Sequence, residues 1–341
     1  VTNLVLPAAG TYNGLFFTPS GIQNESSGYF TFTLKATGTY TASLLSVGKQ
    51  YSTSGKLNSE GQATNKLVRP GASAISVNWQ VLPAGSGSMS GTVSDGAWAS
   101  ELTGYRSVFN SRTNPAPQIG RYTLIIPGTP GADDFPEGDG YGTLTINGNG
   151  LVVFAGTLAD GTKVAQSVSI SKSGQWPLYV SLYAGGGSVL GWLQFADNPS
   201  NDVSGELNWI RPPIKTSKLY PGGFGMPSAA VGSLYVAPVG KDTRVLALTN
   251  GMDTLSGGNL SENSTNAVTL GFSSKVVNAG SNKLTMIFAL PSGLFTGTLV
   301  EAGTTRHITY SGVVLQKANY GCGYFLGTNQ SGSVLFSPAP Q

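Results

Sequence analysis

Residues 29–35 read Tyr29-Phe30-Thr31-Phe32-Thr33-Leu34-Lys35. Phe30, Phe32 and Leu34 fall on one side of an extended chain, and Thr31, Thr33 and Lys35 on the other. A period of two marks a strand with one face in a core and the other in water. The period recurs at 163–170, where Val164, Val168 and Ile170 share a face interrupted by Gln166. Lys163, Ala165, Ser167 and Ser169 share the opposite face. Helical spacing does not persist over a window of about 11 residues anywhere in the chain. The fold class that follows is all-β, built from antiparallel strands.

Working outward, turn signals separate such runs at the spacing of all-β domains. Asp95-Gly96 and Asp160-Gly161 are expected to form tight hairpin turns, because both central residues of a type I′ turn need positive φ. Asn147-Gly148 and Asn250-Gly251 read the same way. The Pro-rich stretches 114–117 and 211–227 read as connections between units.

An internal repeat gives the organisation. Gly10-Thr11-Tyr12 opens one unit and Gly120-Arg121-Tyr122 a second. Gly28-Tyr29-Phe30-Thr31-Phe32-Thr33-Leu34 matches Gly140-Tyr141-Gly142-Thr143-Leu144-Thr145-Ile146. Glu101-Leu102-Thr103-Gly104-Tyr105-Arg106 and Glu206-Leu207-Asn208-Trp209-Ile210-Arg211 read as their closing strands. Leu294-Phe295-Thr296-Gly297-Thr298-Leu299 echoes Val153-Phe154-Ala155-Gly156-Thr157-Leu158 and points to a diverged third copy. The expected units are 1–115, 116–227 and 228–341, with 228–280 the least legible stretch. Each offers about seven or eight strands. Sequential hairpins of this kind close into a barrel or pack as a sandwich, and periodicity does not choose between them.

Composition narrows the function. Charged residues are 10% of the chain and hydrophobic residues 40%, so a core is affordable and the surface is mostly neutral and polar. Such hydroxyl-rich surfaces suit extracellular proteins that meet glycans, cell walls or one another. Net charge is +3 with no basic run, which argues against a nucleic-acid partner. One His (His307) and one Cys (Cys322) cannot build the usual His/Cys zinc site. No apolar run approaches the 18–20 residues of a membrane-spanning helix. An outer-membrane barrel fits the alternation, but many strands look shorter than the roughly 9–11 residues needed to cross a bilayer.

Several stretches carry a resemblance. They are Gly-Asp-Gly-Tyr-Gly (138–142), Gly-Thr-Leu-Ala-Asp-Gly-Thr-Lys (156–163) and Trp-Pro-Leu-Tyr-Val-Ser-Leu-Tyr (176–183). Gly-Trp-Leu (191–193), Gly-Glu-Leu-Asn-Trp-Ile (205–210) and Gly-Tyr-Phe-Leu-Gly-Thr-Asn-Gln-Ser-Gly (323–332) belong with them. They resemble the β-rich repeat tail regions of large secreted or surface proteins from environmental bacteria. The resemblance covers most of 10–336. It implies an extracellular or cell-surface location and brings no catalytic residues.

The candidate chemistry is sparse. Asp133, Asp134, Glu137 and Asp139 crowd a Gly/Pro-rich loop, and clustered carboxylates suit calcium, although the spacing matches no EF-hand. Exposed aromatics stack on sugar rings. Trp98, just after the Asp95-Gly96 turn, is the best placed, with Trp79 and Trp209 as further candidates. Trp176 and Trp192 have apolar neighbours and read as core. Glu101 and Glu206 lie in different units, so the repeat explains them better than a glycosidase pair does. In each closing strand the Glu and the Arg five residues on point to opposite faces, so each is expected to pair across strands. His307 has no nucleophile elbow nearby, and Cys322 reads as a buried small residue. The leading expectation is a non-catalytic structural or adhesive protein that binds itself or other surface proteins. A carbohydrate-binding array on a polysaccharide is the alternative, and a glycan-active enzyme the third.

Overall fold

The computed structural model describes residues 7–83 and 85–340. The first sheet holds β1 (Gly10–Phe17), β2 (Gly28–Leu34), β3 (Thr39–Ser46), β4 (Lys49–Lys56), β5 (Gln62–Arg69), β6 (Ala72–Val81), β7 (Ser88–Ser94) and β8 (Ala99–Arg106). The second holds β9 (Gly120–Ile126), β10 (Gly140–Ile146), β11 (Leu151–Thr157), β12 (Lys163–Ser169), β13 (Gln175–Leu182), β14 (Gly187–Phe195), β15 (Val203–Arg211) and β16 (Phe224–Leu234). The third holds β17 (Asn250–Gly257), β18 (Ser264–Leu270), β19 (Val276–Asn278), β20 (Thr285–Ala289), β21 (Leu294–Val300), β22 (His307–Leu315), β23 (Tyr320–Leu326) and β24 (Ser331–Pro338).

Each sheet is an eight-stranded antiparallel meander in which the first strand pairs with the last, β1 with β8, β9 with β16 and β17 with β24. The end strands β4 and β5 come side by side without sharing a ladder, as do β12 and β13, and β19 and β20. The result is three near-closed barrels, each with one seam. The alternation that sets the strands also fills them: Phe30, Phe32, Trp79 and Tyr12 meet inside the first, and Phe154, Trp176 and Trp209 inside the second. Phe295, Phe325 and Phe336 fill the third. These are packed interiors rather than pores.

Side-chain amides bridge the seams. In the first barrel Asn65 accepts hydrogen bonds from Tyr40 Oη at 2.6 Å and Trp79 Nε1 at 2.8 Å, and reaches Ser54 O across the gap at 3.5 Å. In the second, Gln166 accepts from Trp176 Nε1 at 2.9 Å and donates to Pro177 O at 3.0 Å. In the third, Asn282 meets both Asn266 and Asn278. The Gln166 that interrupts an apolar face thus has a physical reason: a strand at the seam lacks ladder partners, and the amide replaces them.

Several sequence expectations are corrected. The 227/228 boundary falls inside β16, whose residues pair with β9 and β15, so the second barrel runs on to Leu234. The Pro-rich stretch 211–227 therefore bridges two strands of one barrel. Glu101–Arg106 lies on the eighth strand of its barrel, whereas Glu206–Arg211 lies on the seventh. Likewise β11 is the third strand of its sheet and β21 the fifth of its own. Similar strand sequences satisfy the same alternation at different ring positions. Of the four turn dipeptides, only Gly96 and Gly161 adopt positive φ, at +93° and +88°, with the preceding Asp outside that region, so these are not type I′ turns. Asn250-Gly251 opens β17 instead of turning.

The barrels touch through buried patches on their outer faces. Leu15 of the first packs on Tyr179 and Leu190 of the second. Ile125 of the second packs on Val313, Leu315 and Cys322 of the third. Thr123 Oγ1 donates to Val314 O at 2.6 Å and Tyr141 Oη to Ser311 Oγ at 2.8 Å across that second junction. No helix among the described residues is long and apolar enough to cross a membrane.

Candidate functional site

At the first barrel, the turns after β3, β5 and β7 surround a groove with a volume of about 540 Å³. Trp98 and Tyr51 supply its aromatic surface, Lys49 and Arg69 its positive charge, and Glu25 and Asp95 its carboxylates. Asp95 shapes the turn locally: its Oδ1 accepts the Ala97 and Trp98 backbone N–H groups at 3.0 and 3.3 Å. That turn brings Trp98 to the rim, half-buried and with one side packed on the first core. Arg69 binds Asp95 Oδ2 at 2.7 Å and Ser73 O at 2.5 Å, which fixes the guanidinium in the groove wall. Partial burial opposes ionisation of Asp95, but bonds from Arg69, Ala97 and Trp98 together hold its carboxyl below the ordinary value. A general acid needs the reverse shift.

The other two tryptophan candidates are corrected. Trp79 is 1% exposed and its indole N–H is held by Asn65, and Trp209 is 2% exposed with its indole N–H on Tyr183 Oη at 3.0 Å. Both point into barrels and present no face to a sugar. Trp192, expected in a core, instead lies half-buried at the first junction, edge-on to Tyr105 with centroids 5.2 Å apart.

The acidic loop is not gathered to one point. Glu137 Oε1 accepts the Gly131 N–H at 2.8 Å, Asp139 Oδ1 the Gly128 N–H at 3.0 Å, and Asp133 the Gln330 amide. Asp134 is exposed. Among the described residues no three His, Cys, Asp or Glu side chains converge as a metal site. The loop instead docks on the third barrel. Asp139 N donates to Gly323 O at 3.0 Å, and Glu137 lies directly over Gly257. Burial pushes the Asp139 carboxyl up, against bonds from Gly128 and Cys322. Burial, with Asp139 beside it, pushes the Cys322 thiol well above its usual value, which disfavours the thiolate.

Two buried acids escaped the sequence reading. Asp160 is paired with Arg211, which also binds Leu219 O at 3.0 Å, and Tyr183 Oη donates to Asp160 at 2.7 Å. Arg211 thus takes its partner from a loop of its own barrel. Asp253 lies wholly inside the third barrel, where Tyr310 Oη donates to Oδ2 at 2.9 Å and, among the described residues, Oδ1 has no partner. Burial pushes this carboxyl up to about 7, against the Tyr310 bond. Its sequence signal is a charged residue on the parity of Leu255, an inward position of β17. His307 is exposed on β22.

No family model and no curated protein matches the chain. Similar solved structures include a double mutant of the vaccine antigen transferrin binding protein B from Haemophilus parasuis, at 12% identity over 98% of this chain and 77% of that one, TM-score 0.25. Isotype 1 transferrin binding protein B from serogroup B Neisseria meningitidis gives 13% identity over 91% and 65%, TM-score 0.23. A DUF3598-family protein of unknown function from Nostoc punctiforme gives 8% identity over 98% and 96%, TM-score 0.20. At such TM-scores these likenesses carry no argument about this chain.

Proposed function

We propose that the chain is a non-catalytic adhesive protein of the extracellular space or bacterial cell surface, and that its adhesive site is the Trp98 groove, which holds glycan. The observation that carries the reading is the half-exposed Trp98 set among fixed polar groups: an aromatic face for a sugar ring, with Arg69 and Asp95 locked in place to bond its hydroxyls. The resemblance to tail regions of surface proteins supports the location. Retention of the purified chain on a panel of insoluble polysaccharides, with and without calcium, tests it. Wild type should be retained on at least one polymer and Trp98→Ala should not; equal retention of the two removes the groove from the reading.

Self-assembly is the second reading. The seam strands β19 and β20 carry Val277 and Ile287 at 51% and 71% exposure, beside backbone without ladder partners. Open edges of this kind recruit other strands. Sedimentation across a concentration series tests it, and a strictly monomeric chain ends it.

A further inference from the structure

The two junctions between barrels are built alike. At the first, Leu15 and its ladder partner Tyr29, on the first and second strands of one barrel, pack on Tyr179 and Leu190. Those two are ladder partners on the fifth and sixth strands of the next barrel. At the second, Ile125 and its partner Tyr141, again on first and second strands, pack on Val313 and its partner Leu294. Leu294 and Val313 again sit on fifth and sixth strands. One face of a barrel thus meets a different face of the next. A head-to-tail contact of this kind does not close on itself and can add copies without limit.

The array leaves one face of each sort unused. On the first barrel it is the fifth and sixth strands, β5 and β6. Gln80 on β6 and Gln194 on β14 make matching bonds to backbone carbonyls, which aligns the two strands. Four residues back, Ser76 stands where β14 has Leu190, and its ladder partner Lys66 stands where β13 has Tyr179. Both are exposed. Beside them Thr64, Asn78 and Thr92 replace Pro177, Trp192 and Glu206. Thr64 Oγ1 donates to Asn78 Oδ1 at 2.8 Å, and Asn78 Nδ2 donates to Thr92 Oγ1 at 3.0 Å. The face is a hydrated polar sheet.

On the third barrel the unused face belongs to β17 and β18. Ile125 pairs with Val231 of the eighth strand of its barrel, and Thr254 pairs in the same way with Leu335. Thr254 therefore stands where the other barrels have Leu15 and Ile125. Its partner on β18 is Thr265, where they have Tyr29 and Tyr141. Docking this face on β5 and β6 of a second copy would strip water from the Lys66 ammonium. The outward positions of β17, β18 and β24 hold no carboxylate to receive it. An unpaired charge is among the costliest groups to bury. Arrays of repeated units carry a polar outer face on their terminal units for this reason.

We propose that both end faces of the array are caps: Lys66 and Ser76 at one end, and Thr254 and Thr265 at the other, keep a second copy of the chain from docking in the mode that joins the barrels. The inference is independent of the glycan reading. It leaves self-association, if the chain has any, to the β19–β20 seam.

The test rebuilds the first junction between copies of the full chain. Lys66→Tyr with Ser76→Leu restores one half, and Thr254→Leu with Thr265→Tyr the other. These positions are exposed or half-exposed, and circular dichroism checks that each variant keeps its fold. In sedimentation velocity across a concentration series, an equal mixture of the two double variants should give a species of twice the chain's mass and nothing larger. All four substitutions in one chain should give open-ended oligomers that grow with concentration. Folded variants that stay monomeric, both mixed and combined, overturn the proposal. So does a wild-type chain whose own association is lost on Thr254→Lys. Wild-type association lost on Ile287→Lys but kept on Thr254→Lys runs through the seam and supports capped ends. Oligomers of the fourfold variant that disappear on Ile287→Lys form by the seam and overturn them.

Discussion

Replacing Asp253 by Asn should stabilise the third barrel at neutral pH and flatten its response to pH. In the native fold this carboxyl keeps its proton up to about pH 7, whereas its ordinary value is 3.8. Between those values the folded chain binds more protons than the unfolded one. Stability therefore falls as pH rises, by about 1.4 kcal/mol per unit, and levels off above pH 7. A shift of about three units is worth about 4 kcal/mol. The amide carries no charge to bury and still accepts the Tyr310 hydroxyl, which lies 2.9 Å from Oδ2. Asp253→Asn should thus gain up to about 4 kcal/mol at pH 8 and little at pH 4. Asp139 is raised in the same direction at the second junction, so a weaker slope of the same sign should remain in the variant. The probe must be local. All five tryptophans lie at or before Trp209, so their emission does not report on the third barrel. Hydrogen exchange of peptides from β17 and β22 does. Wild-type protection there should drop from pH 5 to pH 8 after correction for intrinsic exchange, and the variant's should drop far less. Equal pH responses, or a variant less protected at pH 8, would refute the buried-acid reasoning.

Asp160→Asn leaves the Arg211 guanidinium buried without its counter-charge and should cost about 3–5 kcal/mol. Urea unfolding followed by tryptophan emission reads it, because Trp209 bonds to Tyr183, which bonds to Asp160. Gly257→Ala places a methyl where Glu137 sits, at a φ of +67°, and should release the 127–139 loop from the third barrel. Faster proteolysis within that loop, with β9–β16 exchange unchanged, is the expected result. Tyr141→Phe removes the 2.8 Å bond to Ser311 and should cost about 1 kcal/mol at the second junction, read as faster exchange of β22.

Strand existence was legible because alternation is local. The parity that revealed β2 also places Trp79 with Ile75, Val77 and Val81, all buried, so its inward orientation was written in the sequence. Reading Trp79 by residue type instead of parity produced the wrong site. Ring position was not legible, since any strand with the right alternation fits any slot of a meander. A better guide lies in side chains that serve the backbone. Gln80 bonds Glu60 O and Val81 O, while Gln194 bonds Ser173 O and Phe195 O, and this matching pair aligns β6 with β14. The opening of the third barrel resisted reading for a concrete reason. Its β19 is three residues long, and the turn before it uses left-handed Ser273 and Ser274 where glycine would have signalled it.

The junctions were invisible because they use the strand faces that alternation assigns to solvent. Leu15, Tyr179 and Leu190 point out of their own barrels, yet each is at most 3% exposed. Ile125 and Val313 do the same at the second junction. Fully burying one such side chain is worth about 1.5–3 kcal/mol, so separating two barrels exposes surface comparable to a domain's whole stability. The strand runs with apolar residues on both faces, Leu15-Phe16-Phe17 in β1 and Leu124-Ile125-Ile126 in β9, are where this is encoded. They fall on the opening strand of each of the first two barrels, which links repeat and junction. A chain of barrels that must hide an outward patch on the next barrel folds as an array. The stability of the array therefore rests on outward-facing side chains, Leu15, Tyr179 and Leu190 at the first junction.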